Sequence, residues 1–361
     1  MRKVLVVVVG LVLIVTAFAE EKAPPQKPQE QQTVLEDIWK KADLKVGALI
    51  KLSALFEDPS GQSDDNRYFR IDDVFINISG TFGKDFKFLL QPHYSQYQPG
   101  GGTVDGADMW IEYTKLPLKF RLGKTQYPAA LSSFTPAGRL DFTTRPKSFE
   151  AALPQGRDIG LMIYSDILET KMSERETKLR LYTMVSNGKK PRTGTAMGEG
   201  LMYTFRAEFS IKELLSIGAS YLKDYQAHEL GEVQTIGYGN VDHFRYGTCD
   251  MMVFVDPFRF GGEFIHGRIE DAGNAWYFEG YYLVGFLRIC KNADFALRYE
   301  NWDRNRNEKY RTEEIIIGLN FFFNPSNPYS AMIQADYRKL REGSSALADI
   351  NAVQILLQLL F

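Results

Sequence analysis

The sequence predicts an all-β protein, a transmembrane antiparallel β-barrel of about 16 strands. Three observations predict this fold. The chain starts with a secretory signal and has no later apolar segment long enough for a transmembrane helix. Long and short connections alternate along the chain, and its last residues form a strand with one apolar face. An exported protein that crosses a membrane without helices must cross it as a closed barrel.

The first residues have the three parts of a signal peptide. Arg2 and Lys3 supply positive charge, residues 4–15 form the apolar run, and residues 17–19 read Ala-Phe-Ala, a small-x-small cleavage site. The apolar run is short for a membrane anchor, which needs about 20 residues. We therefore expect cleavage before Glu20.

The chain divides into three predicted segments. Residues 1–19 are the signal peptide, and residues 20–42, rich in Pro, Gln, Glu and Lys, form a polar periplasmic leader. Residues 43–361 form the barrel. No cysteine directly follows the signal, so a lipoprotein is not expected. Cys249 and Cys290 lie inside strand-like runs, and we expect both to be free although a disulfide is permitted outside the cytoplasm.

The connections between the predicted strands alternate in length. The long connections are 57–67, 98–106, 127–156, 187–200, 224–243, 270–274, 303–309 and 340–348. The short turns are 83–85, 116–118, 167–176, 211–213, 256–257, 291–293 and 324–328. Eight long and seven short connections join sixteen strands. Their alternation places long loops at one end of the strands and short turns at the other, as in bacterial outer-membrane barrels.

The last nine residues show the strand pattern most clearly. One face carries Val353, Ile355, Leu357, Leu359 and Phe361. The other carries Gln354, Leu356, Gln358 and Leu360. This period of two predicts a strand, and a barrel strand that closes onto the first strand leaves no apolar edge. The pattern also fits a soluble sandwich with an apolar core, but the signal peptide favours the barrel. A barrel of this size leaves an aqueous channel.

The composition is compatible with this prediction. The chain has 361 residues, a formal net charge of −2 and a mean hydropathy of −0.26. Mean hydropathy stays low in a β-barrel because only alternate residues face lipid. The 25 Phe and 19 Tyr suit strands and membrane-interface girdles. Nothing in the charge indicates a nucleic-acid partner.

One region resembles a known family. Residues 119–124 read Lys-Phe-Arg-Leu-Gly-Lys, and the third long connection opens at Tyr127-Pro128 and closes at 153–160, Leu-Pro-Gln-Gly-Arg-Asp-Ile-Gly. The acidic-aromatic strand 108–113, Asp-Met-Trp-Ile-Glu-Tyr, precedes it. Together with the C-terminal strand, these stretches resemble the phosphate-selective porin O and P family of outer-membrane porins. The resemblance covers most of the predicted mature chain.

The resemblance implies a barrel in the bacterial outer membrane, in contact with its lipid and usually a homotrimer. It implies a third loop that folds into the lumen and sets the constriction, and a terminal strand, ending at Phe361, that the barrel-assembly machinery recognises. In phosphate-specific members, arginines line the funnel and lysines lie at the narrowest point. Such cations replace the hydration shell of an anion. Gln126 departs from the family pattern, which commonly has a second lysine there.

The cations that we assign to the pore follow from this region and from the inward strand faces. The constriction candidates are Lys119, Arg121, Lys124, Arg139, Arg145, Lys147 and Arg157. The lumen-wall candidates are Lys87, Lys178, Arg180, Arg206, Arg259, Arg298 and Arg338. The acids expected on the same faces are Asp108, Glu112, Glu208, Glu263, Glu279, Glu300, Glu314 and Asp336. The lumen is therefore mixed in sign, and we expect Arg157 and Asp158 to anchor the loop base to neighbouring strands.

Three functions are compatible with this sequence. The leading one is a porin for small hydrophilic solutes or ions, with or without a preference for phosphate-like anions. Such a porin needs no catalytic residue, cofactor or metal. The second is a plugged structural or adhesive barrel. The third is a barrel enzyme, which would need a nucleophile and a base. The histidines, His93, His228, His243 and His266, are scattered and have no evident catalytic partner. Measured conductance separates the first two.

Overall fold

A closed antiparallel β-barrel of sixteen strands forms the described part of this protein. The computed structural model describes residues 42–59, 66–98, 101–147, 156–172, 174–188, 201–225, 243–271, 274–303, 305–306, 311–343 and 349–361. The strands are β1 (Ala42–Pro59), β2 (Asn66–Phe82), β3 (Phe86–Gln98), β4 (Gly101–Tyr113), β5 (Lys119–Gln126), β6 (Arg157–Met172), β7 (Arg175–Ser186), β8 (Met202–Ile211), β9 (Leu215–Tyr225), β10 (His243–Val255), β11 (Phe258–Asp271), β12 (Asn274–Cys290), β13 (Ala293–Asp303), β14 (Arg311–Phe322), β15 (Ala331–Glu342) and β16 (Ile350–Leu360). Among the described residues, no helix is long and apolar enough to cross a membrane. The predicted fold class and strand number are confirmed.

The last strand closes the barrel on the first. β1 and β16 pair antiparallel from Leu49 opposite Leu360 to Pro59 opposite Ile350. The pairing continues to the last residue, since the Phe361 amide donates to the Ala48 carbonyl at 2.9 Å. Every other strand pairs with its neighbours in the sequence. The ladder therefore has no free edge, which satisfies the backbone donors and acceptors along the strands.

The two faces of the barrel are inverted relative to a soluble sandwich. On β16, Val353 and Ile355 are 41% and 46% exposed, whereas Gln354 is 4% and Gln358 0% exposed. β14 repeats this pattern, with exposed Ile317 on the outer face. An apolar outer surface around a polar interior suits contact with lipid and not with water. The sandwich alternative is therefore wrong.

Two predicted connections are shorter in the structure than in the prediction. The strands flanking the 98–106 connection extend to Gln98 and resume at Gly101, and those flanking 167–176 extend to Met172 and resume at Arg175. Antiparallel pairing satisfies the backbone whatever the side chains are, so the strands continue through Gly-rich and charged sequence. The signal peptide and almost all of the leader lie outside the described residues. Cys249 and Cys290 are exposed and free, as expected.

Gly123 occupies a position in β5 that only glycine fits. Its φ is +131°, a conformation that L side chains rarely adopt. A Cβ there would lie 2.8 Å from the Trp110 Cα and against the Met109 carbonyl oxygen. At Gly285, in contrast, a Cβ would meet no atom within 4 Å.

We therefore expect Gly123→Ala to lower the free energy of unfolding by about 1–3 kcal/mol, because it adds backbone strain and a backbone clash. Gly285→Ala is the matched control and should change it by less than about 0.5 kcal/mol. Urea titration in detergent micelles, followed by the mobility of unheated samples on gels, measures both. Equal midpoints for the two variants would contradict the assignment.

Candidate pore constriction

The connection between β5 and β6 is here called loop 3 (127–156), and its described part lies inside the barrel. Its described part contains a one-turn helix, α1 (Leu131–Phe134), and a 3₁₀ turn, Ala137–Arg139. Ala129 and Ala130 are both 0% exposed. Surface loops are normally solvent-exposed, so this burial shows that the loop packs against the inner wall. The expectation that the third loop enters the lumen is met.

Glu263 on β11 anchors the first half of loop 3. Its two carboxylate oxygens accept hydrogen bonds from the Leu131 amide at 2.7 Å and the Ser132 amide at 3.0 Å. The Tyr282 hydroxyl on β12 donates to the same carboxylate at 3.2 Å. These amides belong to the first turn of α1 and have no partner within the helix. Glu263 thus holds loop 3 against a strand six positions away from β5 around the barrel.

Asp141 forms a second anchor. Its carboxylate accepts from the Arg259 guanidinium at 2.7 Å and from the Tyr329 hydroxyl at 2.8 Å. Its carbonyl accepts from the Asn320 side-chain amide at 2.9 Å. Burial and the nearby Asp141 carboxylate raise the pKa of Tyr329, which lies in a short turn, so its phenol stays protonated and donates. One loop residue is therefore bound to two strands and a turn.

The second half of loop 3 is bound mainly through its main chain. Arg298 on β13, which is 2% exposed, donates to the Thr144 carbonyl at 2.8 Å and is itself held by Glu314 at 2.8 Å. The Thr143 amide donates to Asp336 at 2.7 Å. Three further wall side chains donate to loop carbonyls, namely Gln358 to Gly138, Gln334 to Leu140 and Thr248 to Ala129. These contacts fix the backbone of the loop without using its charged side chains.

Several of the predicted constriction cations pair with acids. Arg121 bonds to Glu112 at 2.7 Å, and Lys119 lies 3.7 Å from Asp166. Arg145 donates to the carbonyls of Ser132 and Thr135 within loop 3 itself.

Arg157 and Asp158 hold the base of loop 3, as expected. Arg157 lies 3.2 Å from Asp108 on β4, and Asp158 accepts from the Gly188 amide, just after β7, at 2.7 Å.

Three constriction candidates have other surroundings. Arg139 is exposed and Lys147 half-buried, and both lie on loop 3. Lys124 is paired with Met109 and Ile159 in the strand register. That places Lys124 on the face that also carries the exposed Leu122, which is the outer face of β5. Lys124 therefore does not line the pore, because strand alternation turns it outward, while the pore-lining role of Arg139 and Lys147 stays a prediction.

The predicted wall cations are mostly internal braces. Arg206, which is 0% exposed, bonds to Asp250 at 2.6 and 3.0 Å. Arg338 lies 2.9 Å from Glu57, Arg298 is held by Glu314, and Arg180 bonds to Asp166. Lys87 is exposed and opposite Glu112 in the register. Most of the predicted wall cations are therefore paired with carboxylates.

Two acids and one lysine show the limits of the sequence-based assignment. We expect Glu279 inside the barrel, but it lies on the outer face. It is the register partner of His266 and follows buried Phe278, and strand alternation places neighbouring residues on opposite faces. Asp141 was not singled out, since nothing in the sequence indicates its partners. Lys51, the one charge within the apolar run 46–56, is inward and 2% exposed. In the sequence, the only indication of this inward position is that Lys51 is an isolated charge in an apolar run.

The barrel is similar to several solved outer-membrane channels. With the anion-selective porin from Comamonas acidovorans the TM-score is 0.69 at 11% identity, over 89% of this chain and 100% of that chain. The chain has the fold of an outer-membrane porin. The DcaP channel of Acinetobacter baumannii gives 0.61 at 12% identity, over 89% of this chain and 98% of that one. Salmonella typhi OmpF, solved in complex with daunomycin, gives 0.61 at 12% identity, over 87% and 97%.

No protein-family model matches the chain, and no curated protein sequence matches it either. At these identities the likeness shows the fold alone. The finer resemblance to the phosphate-selective family stays a prediction.

The hydrogen bonds of Glu263 lead to a prediction about amide exchange in loop 3. Glu263→Gln keeps the size of the side chain but leaves one carbonyl oxygen for two amides. A hydrogen bond to a charged group contributes about 1.5–3 kcal/mol, so exchange of the 127–135 amides with solvent should accelerate about tenfold or more. Hydrogen exchange read by mass spectrometry measures this. Glu270→Gln, at the rim end of the same strand, is the control, and equal exchange in both variants would refute the anchor.

The Arg206–Asp250 pair predicts the stability of the wall. Arg206→Met leaves a buried carboxylate without its partner and should lower the free energy of unfolding by about 3–5 kcal/mol. Arg245→Met removes an exposed pair with Glu270 and should cost less than about 1 kcal/mol. Adding Asp250→Leu to Arg206→Met should recover part of the loss. Urea midpoints in micelles measure these changes. Similar losses of unfolding free energy for Arg206→Met and Arg245→Met would contradict the role of Arg206 as a brace of the wall.

Proposed function

We propose that this protein is an outer-membrane porin that lets small hydrophilic solutes or ions diffuse passively. The observation that carries the proposal is the inverted barrel, with an apolar outer face, a polar interior and a long loop anchored across the lumen. Permeation through such a barrel depends on the pore radius and the charges that line it. The likeness to solved porins supports the proposal.

We propose a preference for anions, carried by two loop 3 cations. In the part of the chain that the structure describes, Arg139 and Lys147 have no carboxylate within 4.0 Å of their charged groups. Several lumen acids, in contrast, are occupied by loop amides, namely Glu263, Glu300 and Asp336. A positive field in the lumen raises the local concentration of anions. One of the similar solved porins is described as anion-selective.

Specificity for phosphate has less support than anion preference. The family position that commonly holds a second lysine is Gln126, whose side-chain amide donates to the Ser133 carbonyl at 2.7 Å. That amide therefore braces loop 3. Phosphate is best bound by cations with uncommitted donors.

We also propose that the protein is exported to the outer membrane, inserted by the barrel-assembly machinery through the strand ending at Phe361, and assembled as a homotrimer. A solved structure of similar fold, OmpT of Vibrio cholerae, is described in a trimer form.

The many anchors of loop 3 also favour a second candidate, a plugged structural barrel. Single-channel recording in planar bilayers separates the two. A porin gives stepwise ohmic currents. Under a salt gradient, an anion-preferring porin gives a reversal potential that is shifted toward the equilibrium potential of the anion. Correctly folded barrels without current steps would overturn the porin proposal.

The double variant Arg139→Gln/Lys147→Gln tests the source of the selectivity. It should lower the anion-to-cation permeability ratio by about twofold or more, because two uncompensated lumen charges are removed. Lys291→Gln/Lys339→Gln removes two charges from a short turn and from the outer face, and should leave the ratio unchanged. An equal fall in both double variants would show that the loop 3 cations do not set the selectivity.

A further inference from the structure

A patch of aromatic and charged side chains covers the inner wall on β4 to β7. Its members are Trp110, Glu112, Lys119, Arg121, Tyr164, Asp166, Arg180 and Tyr182, here called the wall patch. Glu112 and Lys119 flank the short turn between β4 and β5, so the patch lies toward the short-turn end of the barrel. It is separate from the loop 3 cations that we propose for ion selectivity.

The rings of the wall patch continue directly from loop 3. Tyr164 and Tyr182, on adjacent strands, are stacked with their centroids 5.6 Å apart and their planes at 22°. Phe134, from α1 of loop 3, meets Tyr182 edge-on at 5.3 Å. The rings of loop 3 and of the wall patch therefore form one continuous aromatic cluster.

Cations lie against these rings. The Arg121 guanidinium is 4.1 Å from the Trp110 ring and 5.6 Å from the Tyr164 ring. The Lys119 ammonium is 5.3 Å from the Tyr164 ring. Cation–π attraction keeps each cation beside an apolar surface.

Two carboxylates fix the orientation of the patch. Glu112 accepts from Arg121 at 2.8 Å and from the Tyr164 hydroxyl at 2.8 Å. Asp166 holds Arg180. Because the rings and guanidinium groups are held in place before any solute arrives, little ordering entropy is lost on binding.

Counted over its own members, the patch retains one positive charge after this pairing. It has three cations against two carboxylates, and the side chains of Lys119 and Arg180 are each 31% exposed. Glu208, opposite Arg180 in the register, lies 3.4 Å from Arg206.

Lys87 adds a cation opposite Glu112 in the register, and no described carboxylate lies within 4.0 Å of its ammonium. Among the members of the patch itself, the least committed donor is Lys119, since its contact with Asp166 is 3.7 Å long.

We propose that the wall patch binds small organic carboxylates that carry a planar ring. The ring packs beside Tyr164 and on the Arg121 guanidinium, which itself covers the Trp110 ring, and the carboxylate is held by Lys119 and Lys87. An inorganic anion has no apolar body to place on the rings, so the patch favours aromatic carboxylates over ions of the same charge. This inference rests on the proposed porin function and names the solute class that the porin prefers.

The test compares benzoate with acetate as blockers of the chloride current through the wild-type channel in planar bilayers. Both probes carry one carboxylate, and benzoate adds the ring. We expect half-maximal block at a benzoate concentration at least about fivefold below that for acetate, because aromatic stacking adds to the charge attraction.

Variants assign the effect to the patch. Tyr164→Leu should remove most of the preference for benzoate, Lys119→Gln should weaken the block by both probes, and Tyr164→Phe should retain the preference because the ring remains. Lys115→Gln, in the exposed adjacent turn, is the charge control and should behave as wild type. The mobility of unheated samples on gels confirms that each barrel is folded. A preference that survives Tyr164→Leu, or that Lys115→Gln also removes, overturns the proposal.

The outcomes separate this proposal from the porin proposal. Equal block by benzoate and acetate in a conducting channel sinks the wall-patch proposal and leaves the porin intact. If folded barrels carry no current, the porin proposal fails. In that case calorimetric titration of the detergent-solubilised barrel with benzoate and acetate decides the wall patch, and equal or absent binding of the two overturns it.

Discussion

The structure depends on one constraint, that the outer surface of the barrel faces a medium that cannot hydrogen-bond. In that setting every backbone donor and acceptor of the wall must be paired within the wall. Closure of β16 on β1 meets the constraint, and Phe361 extends the pairing to the last residue of the chain. The apolar side chains then face outward, and the polar ones are confined to the interior.

Confinement of polar groups to the interior places a second constraint on this fold. Sixteen strands enclose a space too wide for the wall side chains to fill. Charged groups on the wall are costly to bury unless they are paired. Loop 3 supplies partners from its own main chain, so that Glu263, Arg298 and Asp336 bind amides and carbonyls of the loop. The loop is therefore part of the polar core of the barrel.

This pairing also decides which charges are left to act on a solute. Arg206 and Arg338 look like pore cations in the sequence, yet each is held by a carboxylate and acts on the wall. The charges that remain uncommitted include Arg139 on loop 3 and Lys87 on β3, neither of which has a described carboxylate within 4.0 Å of its charged group. A lumen of mixed composition can in this way present one sign of charge to the solute.

The sequence by itself determined the fold, the number of strands and the place of the long loop. A period of two and the alternation of connection lengths are local properties that each stretch carries without its partners. The exact ends of β4 and β6 were missed, because backbone pairing extends strands through residues with low strand propensity.

Only the tertiary structure decided which charged residues are braces and which are available. Arg338 and Glu57 are separated by 281 positions, and Arg298 and Thr144 by 154. Such contacts depend on the register of every intervening strand, and a shift of one residue reverses the faces. For that reason Lys124 and Glu279 could not be assigned to a face from composition, whereas the barrel that carries them could be predicted.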